Sequence, residues 1–433
     1  MAMGAERSSF RTAQWRILLA TMFCYLFFYT GRQTFGFAIP GIQEELGISK
    51  AMLGWAGTCL LWAYALGQSI NGNLGDKYGG RRMVSLGAVA SCLLNWAVSF
   101  GSSVGTLLVP WTFNGYFQAM GWAPGSRVLS NWWSQPERGR VYGLYVFAAG
   151  MSSVLSYITS LLVIDTFQLD WRWIFRLPVL LLLVGGCVYY VIVRDHPKDL
   201  GWDPPGDDDA PLDTSDASTP SVDTSLHEDS RDRYMQVLSN PRFMIASIAI
   251  GFQNLARYGL LFWVPVHFLG ADWKNSADKW ISLALPIGMA LGALSSGWLS
   301  DRVFHGRRWP LISLFMFLAG GTAFWMYFIP RSDHGLGIFV LFLCGFFAYG
   351  PQSAFWALCP DLLGPKRAGT GTGIMNFFAY LFAGVGEPVI GRLIDSNQIT
   401  NLNGELVDNT GIAFLVVTVA CLASGATGLL IRR

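Results

Sequence analysis

The sequence predicts an all-α membrane protein of twelve transmembrane helices in two pseudo-symmetric bundles of six. Its composition is 52% hydrophobic and only 13% charged, which is too apolar for a soluble protein of this length. Apolar runs of roughly 20 residues, long enough to cross a bilayer, recur along the whole chain. A polar stretch near 195–240 divides these runs into two sets.

The apolar runs define the predicted spans. The first set covers 17–39, 51–74, 83–104, 106–126, 141–164 and 173–193. The second set covers 243–268, 279–300, 310–329, 336–358, 368–393 and 411–431. We therefore expect two membrane domains, 1–194 and 241–433, each a six-helix bundle.

Basic residues collect at alternate ends of the spans. They are Arg7, Arg11, Arg16, Lys77, Arg81, Arg82, Arg138, Arg140, Arg302, Arg307, Arg308, Lys366, Arg367, Arg432 and Arg433. The opposite loops carry acidic or mixed charge, such as Glu44 and Asp170. The positive-inside rule makes the basic side cytoplasmic. We therefore predict a protein of the cell (inner) membrane whose two termini both lie in the cytoplasm. The first apolar run is too long for a cleavable signal peptide.

The segment 195–240 differs from the rest of the chain. It contains DPPGDDDAPLDTSDASTPSVDTSLHEDSRDR, which is acidic, rich in Ser, Thr and Pro, and almost free of large hydrophobic residues. Such a stretch cannot bury enough apolar surface to fold. We predict a cytoplasmic acidic linker, for which a plain connecting role is favoured over binding or phosphorylation.

No signature of an enzyme is visible in the sequence. Phosphate-cradling loops, nucleophile elbows, metal clusters and nucleotide-binding patterns are missing. The cysteines fall inside apolar runs without metal-ligand spacing, and we expect small core residues at Cys24, Cys59, Cys92, Cys187, Cys344, Cys359 and Cys421. The chain is predicted to be no enzyme, to need no cofactor or metal, and to bind no nucleic acid.

Two arginines lie in the middle of apolar runs, one in each half. Arg32 occurs in CYLFFYTGRQTFGFAIP and Arg257 in IAIGFQNLARYGLLFWVP. An arginine at bilayer depth costs at least ~2.5–3.5 kcal/mol, so it usually faces a cavity and serves a ligand or a partner charge. The pair therefore indicates a pore that binds an anion. A structural role, in which the guanidinium bonds backbone carbonyls, is the alternative.

An internal repeat supports the division into halves. GNLGDKYGGRR follows the second span and GWLSDRVFHGRR follows the eighth. The pattern resembles the loop signature of the major facilitator superfamily, in which WRWIF at 171–175 is also common. The resemblance covers nearly the whole chain and implies two bundles around a site near the membrane midplane. It also implies that Asp76, Arg82, Asp301 and Arg308 are gating structure.

Further motifs are similar to those of the organophosphate:phosphate antiporter family. They are YTGRQTFGFAIP, GWAPGSRVLSNWWSQPERG, RYGLLFWVP and FFAYGPQSAFWALCPDL. The resemblance implies that Arg32 and Arg257 bind a phosphate group, because guanidinium forks pair bidentately with phosphoryl oxygens. The remaining candidate substrate-binding residues are Tyr25, Tyr29, Tyr64, Gln68, Asn254, Tyr349, Tyr380 and Glu387. Any one tyrosine is as well explained by helix packing, so they are treated as a set.

Three positions depart from that family. Gln68 stands where its glycerol- and hexose-phosphate carriers generally place a lysine, and Ala149 where the glycerol-phosphate carriers have a histidine. Glu387 adds a carboxylate that could be neutral, pair with an arginine, meet a substrate amine or carry a proton. We expect a smaller or less charged oxyanion, or a zwitterion such as an aminophosphonate or an amine-bearing phosphate ester.

These residues predict a secondary active transporter of a small organic anion, a phosphate ester or phosphonate, that works by alternating access. Exchange for inorganic phosphate is the favoured coupling, with the lipid bilayer as surroundings and a monomer as the functional unit. A proton-coupled symporter of a sugar acid or other carboxylate is the first alternative, because YALGQ is reminiscent of the anion:cation symporter family. A membrane sensor of the same fold that does not transport is the second.

Overall fold

Helices make up almost all of the structure, a computed structural model that describes residues 2–48, 50–205, 229–269, 284–330, 333–400 and 406–432. The first half holds α1 (Ala2–Leu26), α2 (Phe35–Leu46), α3 (Lys50–Tyr78), α4 (Gly80–Ser99), α5 (Val104–Gln118), α6 (Trp122–Trp132), α7 (Gln135–Leu161), α8 (Trp173–Arg176) and α9 (Pro178–Ile192). The second half holds α10 (Ser230–Leu238), α11 (Pro241–Leu269), α12 (Ala284–Arg302), α13 (Arg308–Tyr327), α14 (His334–Tyr349), α15 (Gln352–Leu363), α16 (Ala368–Ser396) and α17 (Ile412–Leu430). Near the end of the chain, β1 (Gln398–Thr400) pairs antiparallel with β2 (Leu406–Asp408).

The chain forms two compact units. Unit 1 comprises residues 1–141, 151–240 and 359–374, and unit 2 comprises the remainder. Within unit 1, α3 and α4 pack on α5, and α9 packs on α1 and α4. Within unit 2, α17 packs on α11 and α13, and α14 packs on α12 and α13. The domain boundaries at 194 and 241 stay a prediction.

Each of the twelve predicted spans coincides with helical segments in the part of the chain that the structure describes, although 279–283 lie outside it. Six helical stretches there are long and apolar enough to cross a membrane by length and composition. They are Gly80–Ser99, Gln135–Ile164, Trp173–Ile192, Arg308–Tyr327, His334–Leu363 and Ile412–Leu430. The count of twelve therefore stays a prediction.

The first predicted span is broken in the structure. Helix α1 ends at Leu26, a 3-10 turn follows at Phe28–Gly31, and α2 begins at Phe35. We call residues 27–34 the helix break. The sequence from Phe27 to Thr34 contains no proline, and its backbone is bonded by polar side chains of other helices. The tenth span breaks for a different reason, because Pro351, which joins α14 to α15, has no N–H to continue the helix.

The ends of the predicted linker are folded, so the expectation that all of 195–240 stays unfolded is wrong there. Pro197–Leu200 forms a 3-10 turn and Ser230–Leu238 forms α10. In α10, Val237 is buried and Arg233 is only 2% exposed. The Tyr234 hydroxyl donates to Ser69 O at 2.7 Å. Tertiary contacts thus order a polar segment that could not fold alone. Residues 206–228 lie outside the described part.

All seven cysteines are free thiols, and Cys24, Cys92, Cys344, Cys359 and Cys421 are buried as expected. Cys59 is half-buried, whereas Cys187 lies exposed on α9. The prediction that every cysteine packs in a core is therefore wrong for Cys187.

Candidate functional site

Arg32 lies at the end of the helix break in unit 1, between two tyrosine rings. Its guanidinium carbon is 4.0 Å from the centre of the Tyr29 ring and 4.6 Å from the centre of the Tyr64 ring. Tyr29 precedes it by one turn, and Tyr64 comes from the middle of α3. A ring that contacts a guanidinium stabilises its positive charge without accepting its N–H groups as a conventional acceptor would.

Two further residues of unit 1 that the sequence predicts to bind substrate, Tyr25 and Gln68, are buried. The Tyr25 ring stacks on Phe28 at 5.2 Å and meets the edge of Tyr29 at 6.0 Å. It also contacts the Trp122 ring at 5.0 Å. Gln68 follows Tyr64 by one turn of α3 and is completely buried. Tyr25 thus belongs to an aromatic cluster that supports Tyr29.

Arg257 lies between two tyrosine rings of unit 2. Its guanidinium carbon is 4.4 Å from the centre of the Tyr349 ring and 5.0 Å from that of Tyr258. The Tyr258 ring in turn lies 5.8 Å from the ring of Tyr380. Unlike Arg32, Arg257 occupies the interior of an unbroken helix, α11.

Asn254, one turn before Arg257, is buried in a hydrogen-bonded pair of amides. Its Nδ2 donates to Ile250 O at 3.0 Å and to the Oε1 of Gln253 at 2.9 Å. Gln253 then donates to Ala348 O at 2.7 Å, next to Tyr349. The pair therefore ties α11 to the end of α14, where one of the rings that contact Arg257 is located.

Two of the residues that depart from the family pattern, Ala149 and Glu387, belong to unit 2. Ala149 is buried in the segment 142–150, which belongs to unit 2. Glu387 lies within α16, but its side chain is outside the part of the structure that is described.

Asp76 is the centre of a buried polar cluster in unit 1. It accepts a bond from Arg127 at 2.7 Å. It also accepts bonds from the backbone of Gly369 at 3.0 Å and of Thr370 at 2.6 Å. These backbone groups are at the first turn of α16, where a carboxylate satisfies N–H groups and complements the helix dipole. Arg127 additionally donates to Lys366 O.

The backbones of α3 and α16 approach closely beside this cluster. A Cβ atom at Gly72 would clash with Gly369 O, and one at Gly373 would clash with Gln68 O. We call the contact of Gly72 and Gln68 with Gly369 and Gly373 the glycine seam. Only residues without side chains allow two helices to come this near.

The second copy of the repeated loop is built differently. In unit 2, Asp301 forms its ion pair with Arg308 of the same loop, and Arg308 also donates to Ser300 Oγ at 2.8 Å. In unit 1, the partner of Asp76 is Arg127 from α6, and Arg82 is exposed. The two copies of the repeated motif therefore differ in where the arginine that pairs with the aspartate comes from.

Some residues of these clusters were missed by sequence reasoning. Tyr258 directly follows Arg257, and its position next to a predicted ligand was an available signal. Arg127 lies in the motif GWAPGSRVL, but only the fold brings it to Asp76. Arg138 and Asp361 form a further buried ion pair at 3.0 Å in unit 1, for which no sequence signal existed.

Two carboxylates outside the predicted spans, one near the end of α2 and one after α9, have shifted pKa values. Arg172 and Trp171 donate to the Glu45 carboxylate, and these bonds lower the pKa of Glu45. Burial raises the pKa of Asp195, although the Arg81 N–H donates to it at 2.9 Å and opposes the shift. Asp195 packs against Gly79, where φ is +87° and a Cβ would clash with the carboxylate. The Gly79 turn thus packs against a half-buried acid.

Comparison with known families identifies one that spans most of the chain. The sequence model of the Major Facilitator Superfamily matches residues 21–387. A solved structure of a proton:xylose symporter of that superfamily, XylE, superposes with a TM-score of 0.72 at 14% identity and covers 96% of this chain and 95% of its own. This likeness confirms the predicted fold class.

Curated relatives match along nearly their whole length. A probable hexose phosphate transport protein of Chlamydia muridarum is 29% identical over 87% of this chain and 84% of its own. The glycerol-3-phosphate transporter of Bacillus subtilis is 27% identical over 86% and 84%. The membrane sensor protein UhpC of Salmonella typhimurium is 25% identical over 94% and 92%. These names agree with the resemblance seen in the motifs.

Proposed function

The chain belongs to the major facilitator superfamily, and from this premise we propose that it carries a small organic phosphate or phosphonate across the cell membrane. The observation that carries the proposal is the pair of ring-flanked arginines, Arg32 and Arg257, one in each unit. The hexose phosphate and glycerol-3-phosphate transporters among its relatives support the same substrate class.

The chemistry of the two arginines suits a phosphoryl group. A guanidinium presents a planar fork of N–H donors that matches two oxygens of a phosphate or phosphonate, which a lysine ammonium cannot do. The tyrosine rings stabilise the cation by its faces without using those donors. Arg32 and Arg257 both bind the anionic group in this proposal, with Tyr29, Tyr64, Tyr349 and Tyr380 around it.

Exchange for inorganic phosphate is the proposed coupling, in a monomer whose termini are both cytoplasmic. An anion bound to the two arginines offsets the cost of placing their charges in a poorly solvated site, so the protein changes state more readily when an anion is bound. Organic and inorganic phosphate satisfy the arginines alike, and either one permits the change. Asp76, Arg82, Asp301 and Arg308 belong to the gates in this proposal, supported by the bonds that Asp76 makes to the first turn of α16.

The substrate is proposed to carry less negative charge than a hexose phosphate, or to carry an amine. Gln68 and Ala149 supply no positive charge, and Glu387 supplies a carboxylate. Comparing Glu387→Gln with the wild type on an aminophosphonate and on glycerol phosphate tests this. Loss of the aminophosphonate alone supports amine recognition, whereas unchanged uptake of both removes Glu387 from the site.

Counterflow in proteoliposomes tests the transport proposal. Vesicles loaded with inorganic phosphate should accumulate labelled phosphate ester faster than empty vesicles. Arg32→Lys and Arg257→Lys should each reduce this rate at least about tenfold, because the fork is lost while the charge stays. Arg242→Lys, at an exposed position near the start of α11, is the matched control. Normal counterflow in both site variants, or uptake driven only by a pH gradient, contradicts the proposal.

A sensor that binds without transporting is the second candidate, favoured by the similarity to a membrane sensor protein. The same purified protein distinguishes the two functions. Phosphate binding that Arg32→Lys weakens, without any counterflow in vesicles, would support the sensor.

A further inference from the structure

The helix break leaves the carbonyl of Gly31 outside a regular helical ladder. This oxygen accepts a hydrogen bond from Asn114 Nδ2 at 2.7 Å and another from Asn95 Nδ2 at 3.0 Å. The two donors come from different helices, α5 and α4. A backbone group without a partner is costly in a membrane, so the two amides make an irregular backbone possible at this depth.

The two amides are themselves held in orientation. Asn95 also donates to Ser91 O at 2.9 Å. The Ser91 hydroxyl donates to Asn114 Oδ1 at 2.6 Å, which turns the Nδ2 of Asn114 toward Gly31. Gln118 Nε2 donates to the same hydroxyl at 2.7 Å. All four side chains are buried, so this chain of bonds leads from Gln118 to Gly31 without contact with solvent.

The network acts on the peptide unit that carries Arg32. The Gly31 carbonyl and the Arg32 N–H belong to one planar peptide group, and that N–H donates to Tyr29 O at 3.1 Å. The Tyr29 N–H donates to Ser152 Oγ at 3.0 Å, and Ser156 donates to Tyr29 O at 3.2 Å. Side chains of neighbouring helices therefore bond the backbone of Tyr29 as well as the peptide that carries Arg32.

No space is available for the break to shift toward this network. A Cβ at Gly31 would lie 2.5 Å from Gln118 Nε2 and 2.8 Å from Ser91 Oγ. Both distances are below van der Waals contact, so the backbone rests directly on the polar side chains. Because the two amides bond the Gly31 carbonyl directly, we expect a change in either of them to move the peptide of Arg32.

We propose that Asn95 and Asn114 are positioning residues for Arg32, which set the direction of its guanidinium by holding the Gly31 carbonyl. The inference rests on the proposed function, in which Arg32 binds the phosphoryl group. If the Arg32 guanidinium is displaced by a few tenths of an ångström, one of its two hydrogen bonds to the phosphoryl group is lost. Binding therefore depends on residues that never touch the anion.

Asn71 provides a matched control in the same unit. It is completely buried and donates its Nδ2 to a backbone carbonyl, Tyr116 O, at 3.0 Å. Like Asn95, its Oδ1 has no partner among the described residues. It differs in joining two regular helices, α3 and α5, by a bond that does not involve residues 27–34. Substituting it removes the same kind of bond without removing a bond to the peptide of Arg32.

The test measures inorganic phosphate binding to the purified full-length protein by calorimetry, together with its thermal unfolding. Asn95→Leu, Asn114→Leu and Asn71→Leu should each lower the melting temperature. Only the first two should weaken phosphate binding, by about tenfold each. Phosphate binding in Asn95→Leu and Asn114→Leu equal to that of Asn71→Leu overturns the inference.

Asn114→Asp adds a readout that a merely structural role would not move, and it serves if the leucine variants do not fold. The introduced acid donates to Gly31 O only when protonated. Its phosphate affinity, relative to wild type at each pH, should therefore recover as the pH falls, and a ratio constant with pH contradicts the inference. Arg32→Lys in the same series separates the two proposals. If it binds phosphate normally, the proposed function fails. If it binds weakly while the Asn95 and Asn114 variants match the control, only the positioning role fails.

Discussion

Arg32 and Arg257 have the same aromatic surroundings but different backbones. Each guanidinium lies between two tyrosine rings, at 4.0 to 5.0 Å from their centres. Arg32 follows a 3-10 turn that interrupts the first span, whereas Arg257 is part of the continuous helix α11. A continuous helix orients its side chains by its own hydrogen bonds. A broken one needs bonds from its neighbours.

This difference makes Arg32 dependent on residues that have no counterpart around Arg257 in the part of the chain that the structure describes. In unit 1, serines and asparagines of three other helices bond the backbone around Arg32. In unit 2, the amide of Gln253 bonds the end of α14 instead, beside Tyr349. We therefore expect substitutions of these bonding residues to displace Arg32 itself in unit 1. In unit 2 they should displace Tyr349, which contacts Arg257.

The largest difference between the two units is expected when one methyl group is added next to each arginine. Gly31→Ala should reduce transport more than about tenfold, because its Cβ would overlap Gln118 and Ser91. Gly259→Ala, in α11, should change transport less than about twofold. Its Cβ would meet only the side chains of Ile390 and Val417 at 3.0 and 3.2 Å, and alanine favours a helix. Counterflow in vesicles measures both, and equal effects would remove the proposed difference.

The tyrosine rings should matter in both halves, with an intermediate effect. Tyr64→Leu and Tyr349→Leu each remove a ring from a guanidinium, an interaction of about 0.5–2 kcal/mol, and should raise the KM for a phosphate ester severalfold. Tyr64→Phe and Tyr349→Phe keep the ring and should stay near the wild type. If the phenylalanine variants are as impaired as the leucine variants, the hydroxyl rather than the ring is the active group.

A smaller effect is expected from the serine that accepts the Tyr29 N–H. Ser152→Ala leaves that donor without its partner in a buried place, at a cost of about 1–3 kcal/mol. Phosphate affinity should fall a fewfold as Tyr29 and Arg32 shift. Ser247→Ala is the control in unit 2, because Ser247 is equally buried but its hydroxyl donates to Phe243 O of its own helix at 2.9 Å. Titration calorimetry that finds both variants alike would contradict the prediction.

The smallest expected effect concerns pH and belongs to unit 1 alone. Because burial raises the pKa of Asp195 above its ordinary value of 3.8, the folded state holds a proton that the unfolded state has released. Stability should therefore fall as the pH rises from about 4 through the raised pKa. Asp195→Asn should remove this dependence from the melting temperature. Asp170→Asn, which removes an exposed acid bonded to the Arg172 N–H at 2.9 Å, should leave it unchanged.

The sequence was sufficient to predict the features that composition and repetition encode. The all-α membrane fold followed from the apolar runs, whereas the family and the transporter class followed from the resemblance of the repeated loop and of further motifs to known families. Arg32 and Arg257 stood out because a charge in an apolar run is rare. Their tyrosine partners Tyr29, Tyr64 and Tyr349 followed from the family resemblance, and the structure brings each next to its arginine.

The features that could not be predicted depend on contacts between distant residues. The break before Arg32 has no proline, and it forms because side chains of α4, α5 and α7 bond its backbone. Helix α10 is polar in sequence, and contacts with α3 order it. The pairing of Asp76 with Arg127 rather than Arg82 likewise arises only when α6 packs beside α3.

At the glycine seam, the strength of the contact between α3 and the start of α16 and the rate at which the two helices can separate depend on different groups. Interlocked side chains must change rotamers before two helices separate, which adds a barrier. The bare backbones at Gly72, Gly369 and Gly373 have no rotamers to rearrange. We expect the lifetime of this contact to be set by the polar bonds beside it, with the largest share from those to the Asp76 carboxylate.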